Sequence, residues 1–198
     1  PISKKSLKTQ QNILNSARFH FLKKGFAGTS MGQIAQEAGV TKALLFHYFH
    51  TKEELWQQVK DCILGGEETI RQVKEEIQAD TFEDFLTSIL DLRFKLYARN
   101  PDLIRMMMWQ RCESEKTSIK GTKALPANIW ESAFKTYQDK GMISPLTNLK
   151  ILTDLIYTLS AMPFLESLEW IYEEGPRETY KYKIKDMLLT FAQEGDIQ

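Results

Sequence analysis

Apolar residues recur three and four apart along most of this chain, the spacing of buried helical faces. Residues 6–24 carry Ile13, Leu14, Ala17, Phe21 and Leu22 as one stripe and predict a first helix. Ile34, Ala35 and Ala38 mark a short second helix. Val40, Leu44, Leu45 and Tyr48 mark a third, and a fourth runs from Lys52 to about Leu64. It is interrupted at Gly65-Gly66 and resumes through Ile70, Val73 and Ile77, an isolated glycine costing a helix only about 1 kcal/mol. After a break at Asp80-Thr81, Phe82, Phe85, Leu86, Ile89, Leu90, Leu92, Phe94, Leu96 and Tyr97 form a heavily apolar helix that ends before Pro101. A shorter one follows from Asp102 to about Cys112, a polar loop from Ser114 to Gly121, and a helix through Leu125, Ile129, Trp130, Ala133, Phe134 and Tyr137 that closes at Lys140-Gly141. Leu149 to Phe164 continues toward Leu168 and Ile171, with Pro163 kinking or breaking the helix. Beyond Glu173-Glu-Gly-Pro176, Tyr180, Ile184, Met187, Leu188 and Phe191 make a last amphipathic stripe. The expected fold is all-α.

Punctuation between the second and third helices narrows the picture. Ser30-Met-Gly-Gln33 is a capping box, with the serine hydroxyl and the glutamine amide each satisfying a free backbone N–H. Gly39 can leave the helix at positive φ without steric penalty. Ala35 is small enough for the next helix to cross closely, and Val40 and Leu45 plug either side of the turn. Those are the requirements of a helix-turn-helix, whose second helix, here from about Thr41, lies in a DNA major groove. Thr41, Lys42, His47 and Tyr48 are donors suited to phosphates and base edges. Thr51-Lys-Glu-Glu54 is a second capping box, and it opens a helix where Lys52 can meet a phosphate.

Charge agrees once it is divided along the chain. The whole is neutral, with 26 basic and 26 acidic residues. Residues 1–60 hold nine Lys and Arg against three acids, a balance of +6, which leaves 17 against 23, or −6, in the remainder. A basic module joined to an acidic one is the footprint of a nucleic-acid-binding domain attached to something else. Lys4, Lys5 and Lys8 precede the first helix either as a solvated tail or as an arm reaching a phosphate backbone or minor groove. The two cysteines, Cys62 and Cys112, have no metal spacing and are expected to be buried free thiols. His47 and His50 lie three apart, but nothing completes a ligand set, so no metal is expected. No nucleophile–base set, paired catalytic carboxylates or phosphate loop is visible, which excludes a recognisable enzyme and calls for no cofactor. No apolar run approaches the ~20 residues of a membrane span, and no signal peptide precedes the first helix, so a cytoplasmic location is expected.

The run GFAGTSMGQIAQEAGVTKALLFHYFHTKEEL closely resembles the DNA-binding domain of the tetracycline-repressor (TetR) family of bacterial regulators. Gly25-Phe26, Thr29-Ser30, Ile34-Ala35, Ala38-Gly39-Val40, His47-Tyr48-Phe49 and Lys52-Glu53 carry the match, over roughly residues 9–60. This sequence departs from the family at Leu44, where a small or hydroxyl residue is usual. It departs again at Phe46, where a tyrosine that commonly touches a phosphate is replaced by a ring with no hydroxyl. The resemblance implies an N-terminal three-helix helix-turn-helix domain over residues 1–60, followed by a helical ligand-binding and dimerisation domain over 61–198. It implies a homodimer formed through the last two long helices. Thr41, Lys42, Ala43, Leu44, His47 and Tyr48 would face the groove, while Ser30, Tyr48 and Lys52 would hold phosphates.

Met106, Met107, Met108 and Trp109 cover all sides of their helix and, with the dense aromatics nearby, suit either ordinary packing or an apolar cavity. As an effector pocket, the expected lining is Phe94, Met107, Trp109, Trp130, Phe134 and Tyr157. The resemblance implies a ligand-responsive transcriptional repressor. It would bind a palindromic operator in double-stranded DNA as a dimer and be released by a small, largely apolar effector. Two alternatives stay open on the residues alone: a DNA-binding regulator controlled by a protein partner or by no effector, and a helical carrier or enzyme with a basic interaction module.

Overall fold

A computed structural model of the chain describes residues 4–64, 79–113 and 128–195. Among these, every regular element is helical: α1 (Lys4–Lys24), α2 (Met31–Glu37), α3 (Lys42–Tyr48), α4 (Lys52–Leu64), α5 (Phe82–Arg99), α6 (Pro101–Glu113), α7 (Asn128–Asp139), α8 (Leu149–Leu165), a 3-10 turn at Glu169–Tyr172, and α9 (Glu174–Glu194). The helical resumption expected through Ile70, Val73 and Ile77, the loop Ser114–Gly121 and the start near Leu125 lie outside the described residues.

The helices divide into two compact units, and the division differs from a single cut after residue 60. The first unit contains α1–α4 and, from further along the chain, α6. Its core is built from Ile13, Ala17 and Phe21 of α1, Met31, Ile34 and Ala35 of α2, Leu45 of α3, Leu55, Trp56 and Val59 of α4, and Met106 of α6. Phe21, Phe26 and Trp56 meet near its centre, with the Trp56 ring edge-on to Phe21 at 4.9 Å and to Phe26 at 5.7 Å. Such contacts add to area burial because ring edges are electropositive and faces electronegative. α6 joins this unit through specific polar contacts as well. The Glu113 carboxylate accepts from the backbone N–H groups of Phe26 (2.9 Å) and Ala27 (3.1 Å), and the Trp109 indole N–H donates to the Leu22 carbonyl (3.2 Å). Gly25 makes this approach possible: its φ is +71°, and a Cβ there would come within 3 Å of both Glu113 and Trp109.

The second unit holds α5, α7, α8 and α9. Thr81 caps α5 through the Asp84 N–H (3.1 Å), and Phe82, Phe85, Leu86, Ile89, Leu90, Phe94 and Tyr97 are its buried stripe. Phe85 packs against Trp130, Phe134 and Tyr137 of α7, and Phe94 against Phe164 of α8. Pro163 neither breaks nor ends α8 at its own position: it sits in the last turn, and the chain leaves at Ser167 with φ +53°. Glu173 precedes α9 and Glu174-Gly-Pro176 supplies its opening turn, where a proline lacks no hydrogen bond that the helix needs. Cys62 and Cys112, expected to be buried, are exposed free thiols.

Candidate nucleic-acid interface

The interface is assembled by short-range devices. Ser30 Oγ accepts from the Gln33 N–H (3.2 Å), and Gln33 Oε1 accepts from the Ser30 N–H (3.0 Å), the reciprocal box that starts α2. Gly39, at φ +67°, turns the chain, and the Val40 N–H returns to the Ala35 carbonyl at 3.0 Å. Thr41 then caps α3 by accepting from the Leu44 N–H at 3.1 Å, which leaves the hydroxyl proton as a donor. Leu45, with no exposed surface, pins α3 to the core beside Phe49.

With Leu45 inward, α3 turns Lys42, Ala43, Phe46 and His47 outward on one face, and Thr41 and Leu44 are exposed at its first turn. Leu44 was expected in two roles, as part of the apolar stripe and as a groove residue. At 39% exposure it belongs to the surface. Phe46, the departure from a family tyrosine, is also exposed and lies under the Lys42 ammonium, 5.9 Å from ring centroid to Nζ. That cation–π contact aligns the lysine along the helix surface.

Five lysines and one tyrosine are placed differently from the simplest expectation. The Lys52 ammonium donates to the carbonyls of Phe26 and Thr29, each at 2.9 Å, and lies 4.1 Å from the Phe26 ring centroid. These contacts latch α4 to the turn between α1 and α2, where the residue expected to hold a phosphate already meets two carbonyl dipoles and a ring face. Lys60, counted in the basic balance of residues 1–60, is fully buried and bonded to Gln110 at 2.8 Å. Burial pushes its pKa down to about 8, against a smaller raising effect of Asp61. Tyr48 is half-buried, with its hydroxyl 2.9 Å from Ser6 Oγ of α1. Lys4, Lys5 and Lys8 are not a tail before the first helix but its first two turns, and the Ser6–Tyr48 contact sets that basic stretch beside the end of α3. An unfavourable cluster of cations at a helix N-terminus, with no acid in the first turn, fits a surface that meets an anionic partner. Glu54 also departs from the expected box: Thr51 accepts from its N–H (3.0 Å), but its carboxylate accepts from the His50 N–H (2.8 Å), one residue earlier.

The residues expected to line an effector pocket are split. Phe94, Trp130, Phe134 and Tyr157 are all buried in the second unit, where the Trp130 indole N–H donates to the Tyr157 hydroxyl at 3.1 Å. Met107 and Trp109 are in the first unit. The reason is the seating of α6, whose Met106 is a core residue of the first unit and whose Trp109 packs beside it. A surface cleft of about 310 Å³ between α5 and α9 is lined by Thr87, Leu90, Asp91, Glu178, Lys181, Tyr182 and Lys185, none of them an expected pocket residue. Sequence reasoning missed Arg93. It stands four residues from both Ile89 and Tyr97, on the buried stripe of α5, and is fully buried. The helical period alone could have found it. Among the described residues, no group of three or more His, Cys, Asp and Glu could hold a metal ion, and no helix is long and apolar enough to cross a membrane.

Comparison with known proteins decides the class. Residues 13–59, which span α1 from its first buried residue through most of α4, match the family described as bacterial regulatory proteins, tetR family. That segment is a TetR-family DNA-binding domain. The chain is 26% identical over 159 residues to the HTH-type transcriptional regulator UidR of Escherichia coli K12, covering 77% of this chain and 80% of UidR. It is 26% identical over 162 residues to the HTH-type transcriptional repressor SCO4008 of Streptomyces coelicolor, covering 78% and 76%. The fold superimposes on that of Salmonella enterica GusR with a TM-score of 0.73 over 97% of this chain and 98% of GusR, at 18% identity. Its function is DNA-binding transcriptional regulation through a helix-turn-helix.

Proposed function

We propose that the protein is a homodimeric repressor that binds a two-fold-symmetric operator and lets go when a small, largely apolar molecule enters its second unit; its place is then the cytoplasm, with the DNA. The observation that carries the DNA-binding part is the outward face of α3, with Lys42, Ala43, Phe46 and His47 displayed and Leu45 and the Thr41 cap holding the helix in place. One seven-residue helix touches only a few base pairs, so two copies reading two half-sites give the affinity and specificity that one lacks. Repression is supported by similarity to a relative that bears that name. The aromatic interior around Phe94, Trp130, Phe134 and Tyr157 supports an apolar effector, because ligand sites are mainly apolar with a few oriented polar groups. An effector acts by binding the operator-free state more tightly than the bound one, and operator affinity falls by that coupling free energy.

The test is enrichment of random duplex DNA on the purified protein, followed by sequencing of the bound pool. The expected result is a palindrome with half-sites about one helical turn, or a multiple of it, apart. A motif without two-fold symmetry overturns the dimeric reading, and a flat pool at low and moderate salt overturns specific DNA recognition.

A further inference from the structure

We infer that the second unit contains a carboxylate-binding site at Arg93, so that its effector is an apolar molecule carrying one acid group. The inference rests on the effector reading above and deepens it. Arg93 lies on α5 with no exposed surface. Its Nε donates to Ser160 Oγ (2.7 Å), and Nη2 donates to the Tyr97 hydroxyl (2.5 Å) and, at 3.4 Å, to the Tyr157 carbonyl. Nη1, also buried, has no protein acceptor. No carboxylate among the described residues pairs with it: Asp91, the acid nearest in sequence, is bound to Lys181 on the far side of the α5 period.

A guanidinium stays charged at any pH a cell meets, so it cannot escape burial by losing its proton. The ring faces of Tyr157 and Tyr97, 4.0 and 5.2 Å from Cζ, offset part of the charge. Water could satisfy the free N–H groups, but it would leave the charge uncompensated. The cluster is also rich in donors. Ser160 Oγ spends its proton on the Ile156 carbonyl at 2.6 Å while accepting from Arg93. Tyr97 accepts from Arg93, so its own proton must go to another acceptor, and burial holds that phenol protonated by pushing its pKa up. A fixed cation with two N–H groups to give, beside a phenol with a proton to give, is complementary to a two-oxygen anion. Phe94, Phe164 and Trp130 stand around this cluster, supplying the apolar wall for the rest of such a molecule: Phe164 lies against the Tyr97 ring and Trp130 bonds Tyr157.

The experiment is a ligand titration of the full chain, read by thermal unfolding and by release of enriched operator DNA. The probes are straight-chain acids from hexanoate to hexadecanoate, with phenylacetate and phenylbutyrate, each set beside its primary alcohol. At least one acid is expected to raise Tm saturably at a concentration at least tenfold lower than its alcohol. In Arg93→Met, acid and alcohol should converge while the alcohol keeps its wild-type affinity. The Met variant keeps the volume without the charge, and replacing a buried ion by a well-packed apolar group is commonly tolerated. If it does not fold, Tyr97→Phe decides, with acid affinity falling several-fold and the alcohol's unchanged. Equal binding of acid and alcohol to wild type overturns the carboxylate site and leaves an apolar effector standing. No response to any acid overturns it too, and release of operator by a neutral compound from a broad library would then keep the effector reading alive. An acid preference that survives both substitutions places the anion elsewhere and overturns the assignment to Arg93.

Discussion

Lys42 and Lys52 show why a basic residue in a DNA-binding domain is not by itself a DNA contact. Both belong to the matched segment, yet one ammonium lies along an exposed helix face and the other is held by two carbonyls and a ring. Lys42→Ala should leave the unfolding midpoint unchanged, weaken operator binding, and reduce the slope of log affinity against log salt by about 1, since each phosphate neutralised contributes about 0.9. Lys52→Ala should cost about 2 kcal/mol of folding stability, the scale of lost hydrogen bonds to a charged group, with an unchanged salt slope in whatever fraction stays folded. Denaturant unfolding and binding titrations at several salt concentrations separate the two; the reverse pattern would exchange their roles. His20 belongs at this scale as well. It is buried on α1 with no hydrogen-bond partner for either ring nitrogen, and burial, then Lys24 and Lys23, hold its pKa below 6.5 against a raising effect of Glu37. The folded state therefore resists protonating it. The stability associated with the neutral ring is complete above pH 6.5 and is lost as pH falls from there through the folded-state pKa. His20→Leu should narrow the gap between urea midpoints measured at pH 7.5 and 5.5. An equal gap in both proteins would show that other groups carry the acid response.

At the scale of elements, what was legible in the sequence was local, and what was not was tertiary. The capping box at Ser30, the positive φ of Gly39, the N-caps at Thr41 and Thr81 and the stripes of α1 and α5 all follow from neighbours three or four residues away, and the chain alone shows them. The seating of α6 could not be read that way. Four consecutive large apolar residues, Met106 to Trp109, say that a helix is buried without saying against what. The deciding partners are Leu22, Phe26 and Ala27, 86 or 87 residues earlier. For the same reason the six expected pocket residues divided between two units, and Arg93, a charge on an apolar stripe, had no visible reason to be there. Glu113 makes the α6 attachment testable. Glu113→Ala frees the Phe26 and Ala27 amides from their carboxylate acceptor. Both should lose hydrogen-exchange protection relative to wild type, and the chain should lose about 2 kcal/mol of stability, the scale of lost hydrogen bonds to a charged group. Unchanged protection at those two amides would mean that α6 does not hold the turn in solution.

For the whole molecule, the proposed dimer has to come from surface that one chain leaves uncovered. α8 and α9 leave Ile151 and Met187 44% and 60% exposed, and these two flank a concavity that Phe191 also lines. Large apolar side chains grouped on one face are what a two-fold contact between paired helices buries. Asp186 and Glu194 line the same concavity, so its apolar contact area comes from Ile151, Met187 and Phe191. The double substitution Ile151→Asp, Met187→Asp puts charge into that area. It should convert the protein to a monomer in sedimentation at micromolar concentration while its helical circular dichroism is kept, because both side chains face solvent within a single chain. Operator affinity should fall by a factor of about 10² or more, the usual loss when two linked contacts become one. The salt slope should fall toward half, because one helix-turn-helix unit neutralises half the phosphates. A variant that remains dimeric would move the interface to another face of the second unit. A wild-type protein that is monomeric while still selecting a palindrome would mean that the two copies meet only on DNA.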